Sequence, residues 1–131
     1  MDTNFTCGEW FPASPEELYT AWLDSDQHAA MTGADASVSS EPYGRFEAWG
    51  GYIVGTNLEL EEGRRVVQAW RTSQFTPDEP DSRLEIFFEE DGDGARITIK
   101  HSVLPEHGMA YLQGWVDHYF EPMKRWLGSR G

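Results

Sequence analysis

The chain has 131 residues, 14% of them aromatic and six of them Trp, enough for one domain (1–131) with a sizeable core and too few for two. Its 23 acidic and 10 basic residues give a formal net charge of −13, with Lys100 and Lys124 the only lysines; such a surface repels phosphate backbones and anionic lipid, which sets aside nucleic acid and membrane as main partners. The single cysteine, Cys7, excludes an internal disulfide and a Cys-based zinc site, and no apolar run approaches the ~18 residues needed to span a bilayer.

The opening residues Met1-Asp-Thr-Asn-Phe5 show neither a basic n-region nor an apolar h-region, so a cytoplasmic location is expected. Acid excess with few lysines also suits a high-salt cytoplasm, where self-repulsion is screened. From Asn4 to Phe11, residues Phe5, Cys7, Glu9 and Phe11 share one face, the pattern of a half-buried strand. Ser14-Pro15-Glu16-Glu17 carries an N-cap serine, proline at the first helical position and glutamate at the third, which predicts a helix through Trp22. Ser25 or Asp26 is the expected cap of a second short helix that stops at Gly33.

From Asp35 the period switches to two. Strands are expected at residues 36–40, 44–49, 52–60, 64–73, 82–90 and 94–103, separated by turn chemistry at Gly50-Gly51, Glu61-Glu62-Gly63, residues 76–81 and Asp91-Gly92-Asp93-Gly94. The covered face is expected to carry Phe46, Ala48, Tyr52, Val54, Leu58, Leu60, Val66, Trp70, Leu84, Ile86, Phe88, Ile97, Ile99, His101 and Val103. Leu112, Trp115, Tyr119, Met123 and Trp126 then recur at helical spacing from Glu106 to Leu127, with Pro122 expected to bend that helix. The order strand, two short helices, about six strands and a long helix is that of an α+β fold, an antiparallel sheet of six or seven strands covered on one face by the C-terminal helix.

Several runs carry a narrower resemblance: residues 11–24, Val66-Val-Gln-Ala-Trp-Arg71, Arg96-Ile-Thr-Ile-Lys-His-Ser-Val103, and Gly114-Trp115 followed by Tyr119-Phe-Glu-Pro-Met-Lys124. In that order the chain resembles the homologues of the activator of heat-shock protein 90 ATPase, within the START-like superfamily (also SRPBCC or Bet-v-allergen-like). The resemblance implies a helix-grip fold, a cavity between sheet and long helix, and a link to the stress response through a chaperone ATPase. One departure follows the second helix, where many relatives have Trp-Trp-Gly-Pro and this chain has Ala29-Ala-Met-Thr-Gly33.

Motifs for chemistry are sparse. No phosphate loop, nucleophile elbow or metalloprotease signature is present, and no cofactor is expected. Glu89-x-Asp91-x-Asp93-Gly94 imitates the start of a calcium loop, but Lys100 stands where the closing glutamate belongs, so it reads as an acidic hairpin. His101 is expected on the covered face near Trp115 or Tyr119, as a ligand or proton contact or as a core histidine satisfied by a protein partner. Glu9 and Gln68 fall on covered positions and are candidate polar handles, whereas His28, His107 and His118 read as surface or helix-end residues. The expected ligand-binding set is Trp22, Tyr52, Gln68, Trp70, Phe88, His101, Trp115 and Tyr119. The first expectation for function is a non-enzymatic module binding an apolar small molecule in that cavity. The alternatives are a protein that stimulates a chaperone ATPase and an aromatase/cyclase-like enzyme using His101 or Glu9.

Overall fold

The computed structural model describes residues 3–130. Strand β1 (Thr3–Phe11) is followed by helices α1 (Pro15–Trp22) and α2 (Ser25–Thr32), then by strands β2 (Ala36–Ser37), β3 (Arg45–Ala48), β4 (Ile53–Glu61), β5 (Arg65–Thr72), β6 (Ser82–Asp91) and β7 (Gly94–Leu104). A 3₁₀ turn (Glu106–Met109), α3 (Ala110–Trp115), a π-helical turn (Val116–Phe120) and α4 (Glu121–Arg130) complete the C-terminal helix. The seven strands form one antiparallel sheet in the order β1-β7-β6-β5-β4-β3-β2. The expected α+β helix-grip architecture is what the chain adopts, with the core between one sheet face and the helices.

Local chemistry explains the helix starts. The Ser14 hydroxyl accepts from the Glu17 amide at 3.1 Å and Pro15 opens α1. Asp24, rather than Ser25 or Asp26, caps α2 by accepting from the Gln27 amide at 2.9 Å. The Ser25 hydroxyl is instead committed to Val38, accepting from its amide at 2.9 Å and fastening α2 to the loop beyond β2. Gly33 ends α2 in the left-handed region at φ 79°, as a C-cap glycine should.

Two strands depart from the facing parity expected of them. In β4 the inward side chains are Ile53 and Asn57, so Tyr52, Val54 and Leu58 do not lie in the core as expected. A bulge explains the error: Asn57 pairs with Gln68 and Glu59 with Val67, leaving Leu58 as an extra residue that flips the parity, and Leu60 faces in again. Gly55 is required on this strand, because a Cβ there would collide with the Phe46 ring and the Ala69 carbonyl. In β7 the alternation holds through His101 and then breaks at Val103, which adopts φ 56° and turns outward while Leu104 takes the buried position.

The C-terminal helix buries Tyr111, Trp115, Tyr119, Phe120, Met123 and Leu127, with Leu112 and Trp126 only half-buried. The expected stripe is therefore shifted at both ends. The π turn inserts one residue before Pro122, placing Tyr119 and Phe120 side by side on the inner face. Pro122 offers no amide to the preceding turn, and the wider turn relieves its ring against the carbonyl four residues back.

Candidate functional site

A cavity of about 460 Å³ opens between the β4–β5 end of the sheet and the first half of the C-terminal helix. Trp49, Tyr52 and Ile53 form one wall, Trp70 and Gln74 a second, and Ala110, Tyr111, Gly114, Trp115, His118 and Tyr119 the helical wall. Three consecutive left-handed residues, Trp49 (φ 55°), Gly50 (φ 65°) and Gly51 (φ 92°), fold the β3–β4 connection so that Trp49 meets the edge of His118 at 5.3 Å. Gly114 contributes no side chain, and a Cβ placed there would find its nearest neighbour, His118, at 3.9 Å. Its lack of a side chain therefore leaves space on the helical wall.

Of the eight residues expected at a ligand site, Tyr52, Trp70, Trp115 and Tyr119 border this cavity. The other four do not. Trp22 lies behind the helical wall, stacked on Tyr119 at 5.0 Å and Trp115 at 6.2 Å. Phe88 packs edge-on with Tyr19 at 5.8 Å. Gln68 donates to the Asn57 side chain at 2.9 Å, and Asn57 in turn donates to the carbonyls of Ser39 and Glu41, so this buried amide pair holds the loop between β2 and β3.

His101 is 1% exposed and fully committed. The Trp115 indole donates to Nδ1 at 3.2 Å, which leaves the proton on Nε2. Nε2 donates to the Ser82 hydroxyl at 2.8 Å, and Ser82 donates to the Trp70 carbonyl at 2.7 Å. Burial pushes the His101 pKa down to about 3, so the ring is neutral at physiological pH. Of the two roles open to it from the sequence, the core histidine with protein partners is the one the geometry fits.

His28 corrects its surface assignment, being only 2% exposed. Its Nδ1–H donates to the Trp22 carbonyl at 2.8 Å and Nε2 accepts from the Tyr119 hydroxyl at 3.0 Å. Burial lowers its pKa against the opposing Trp22 bond, and burial raises that of Tyr119. The indole N–H of Trp49 is buried beside the Tyr119 hydroxyl but outside hydrogen-bond geometry. Glu9 is likewise not a cavity handle: it pairs with Lys124 on α4 at 3.0 Å. Partial burial raises its pKa, but the Lys124 hydrogen bond and charge bring the net shift below the usual carboxylate value. The sequence reading missed Trp49, Ile53, Gln74, Ala110, Tyr111, Gly114 and His118 as cavity-lining positions. The aromatic pair Trp49 and Tyr111 was the available signal.

No helix among the described residues is long and apolar enough to cross a membrane. The fold matches that of an HSP90 activator from Plasmodium falciparum with a TM-score of 0.86 at 19% identity, over 95% of this chain and 96% of that one. In sequence the chain is 32% identical over 84 residues to the Dictyostelium discoideum activator of 90 kDa heat shock protein ATPase homolog, covering 64% of this chain and 22% of that protein. It is 25% identical to the human activator of 90 kDa heat shock protein ATPase homolog 1, over 94% of this chain and 36% of the human protein. The chain thus spans about a third or less of the length of these two curated relatives. Residues 12–128, running from the end of β1 almost to the end of α4, match the family described as Activator of Hsp90 ATPase homolog 1-like protein, and the chain belongs to that family.

Proposed function

We propose that the chain is a non-enzymatic binding module that takes an apolar small molecule into the cavity beneath the C-terminal helix. The observation that supports this most strongly is the cavity itself, whose roughly 460 Å³ and predominantly aromatic walls suit a compact ligand. Its lining includes no carboxylate, lysine, arginine or cysteine to pair with His118 for acid–base or nucleophilic work, and His101, outside the lining, is kept neutral by burial and committed to Trp115 and Ser82. Binding is favoured over catalysis on those grounds. The test is a thermal-shift screen against small aromatic molecules on the wild type and on Gly114→Leu, whose side chain would fill the space beside His118. Saturation a hundredfold above Kd stabilises a protein by about 2.7 kcal/mol, so a hit shifts the unfolding midpoint by several degrees. Hits lost in Gly114→Leu support the proposal; no hit, or hits kept by that variant, contradict it.

A second reading is favoured by family membership and by the names of the relatives: stimulation of a heat-shock protein 90-type ATPase through the surface of the domain. Addition of the chain to such a chaperone is expected to leave its ATP turnover unchanged under the binding-module proposal. Stimulation that survives Gly114→Leu moves the account to this second reading.

A further inference from the structure

Resting on the cavity proposal, we infer that the ligand is a compact organic cation, an ammonium group carrying methyl or aryl substituents. Six of the eleven lining residues are Trp or Tyr, and none is Lys, Arg, Asp or Glu. The polar ends of several of these aromatics are already engaged away from a ligand. The Tyr52 hydroxyl donates to the Gln74 side-chain carbonyl at 2.9 Å, Tyr111 meets the Thr72 hydroxyl at 2.6 Å, Tyr119 bonds His28, and the Trp115 N–H bonds His101. The Trp49 nitrogen is shut off from the cavity by burial, so that residue presents ring carbons. What the walls offer is therefore mostly ring surface. Aromatic faces carry partial negative charge and attract cations, most strongly those with a diffuse, weakly hydrated charge.

The rest of the chain reinforces the choice. A net charge of −13 concentrates cations and depletes anions around the whole molecule, and neither lysine lies at the cavity to reverse that locally. An anionic ligand would meet no lysine or arginine at the lining and an unfavourable field. A neutral ligand gains only apolar burial, whereas an alkylammonium gains that burial and the ring attraction.

Three probes of similar shape separate these cases: phenyltrimethylammonium, tert-butylbenzene and benzenesulfonate, titrated by calorimetry into the full chain at low salt and in 1 M KCl. The expected result is that phenyltrimethylammonium binds about tenfold tighter than tert-butylbenzene, as an attraction near 1.4 kcal/mol gives, with no measurable benzenesulfonate binding. Part of that preference survives 1 M KCl, because salt screens the long-range field but not contact with the rings. Tyr52→Leu and Trp49→Leu keep apolar bulk while removing an aromatic ring, and each is expected to weaken the ammonium several-fold and leave tert-butylbenzene nearly unchanged. Equal or tighter binding of tert-butylbenzene overturns the cation and leaves the cavity proposal standing. Tightest binding of benzenesulfonate, or an ammonium preference untouched in both variants, also overturns it. No binding of any probe overturns this inference, and with no hit in the broader screen the cavity proposal falls too.

Discussion

At the scale of single residues, the fold carries two buried neutral histidines that serve packing. His101 and His28 each bridge the C-terminal helix to another element, through Trp115 and Tyr119 respectively. Unfolded histidine titrates near 6.5, whereas burial holds His101 at about 3 and lowers His28 in the same direction. Below pH ~6.5 the unfolded chain therefore binds protons that the folded chain refuses. The stabilisation is complete above that pH and is lost as the pH falls toward the folded values, at up to about 1.4 kcal/mol per pH unit for each histidine. Gln can accept from Trp115 and donate to Ser82, so His101→Gln is expected to flatten the acid limb by up to that amount between about pH 5.5 and 4. Urea unfolding at stepped pH measures the slope; an unchanged slope contradicts a neutral, buried His101. The inward position of His101 was legible from its parity with Ile97 and Ile99. That of His28 was not, because α2 is eight residues long and pairs its buried His28 with only Met31 and Thr32, too few apolar positions to define a face.

At the scale of elements, turn chemistry in the sequence located the strands well, and their phases less well. One extra residue at Leu58 inverts β4, and one extra residue in the π turn rotates the end of the C-terminal helix relative to its start. The β4 insertion leaves no compositional mark, since it is set by the pairing with β5, and the π turn is marked only by Pro122, which signals a distortion without fixing its form. The capping assignment for α2 shows the same limit: Asp24, Ser25 and Asp26 are all competent caps, and contact with Val38 draws Ser25 away. Asp24→Ala is expected to cost about 1 kcal/mol through the lost cap, readable as a lower denaturant midpoint; no loss contradicts the assignment. Gly114 sits in α3 without a steric need for glycine. Gly114→Ala is therefore expected to stabilise the chain by roughly 0.5–1 kcal/mol, and destabilisation would show that the helix cannot accept a side chain toward the cavity.

Across the whole molecule, charge and shape act separately. On the outer sheet face Arg65 bonds Glu61 at 2.8 Å and Glu85 at 2.9 Å, and Arg71, Arg83 and Arg96 also pair with carboxylates. With much of the basic complement engaged this way, the excess carboxylates repel one another across the surface. The unfolding midpoint is expected to rise from low salt to molar KCl as that repulsion is screened; an unchanged midpoint contradicts it. The overall architecture was legible because element order, turn residues and one covered face all pointed to a sheet gripping a helix. The cavity was legible only as a region, through Trp70, Trp115 and Tyr119. Its rim depends on the left-handed Trp49–Gly51 connection and on the bare Gly114, features whose effect emerges only when sheet and helix are docked.

The central claim is that this cavity receives a ligand, and the most direct measurement is an amide NMR titration with phenyltrimethylammonium, followed by tert-butylbenzene. Saturable shifts are expected at Trp49, Tyr52, Gln74, Gly114 and His118, with the Asp91–Gly94 hairpin at the far end of β6 and β7 unmoved. No saturable shifts with either probe, or shifts scattered over the acidic surface without focus on the cavity, contradict it.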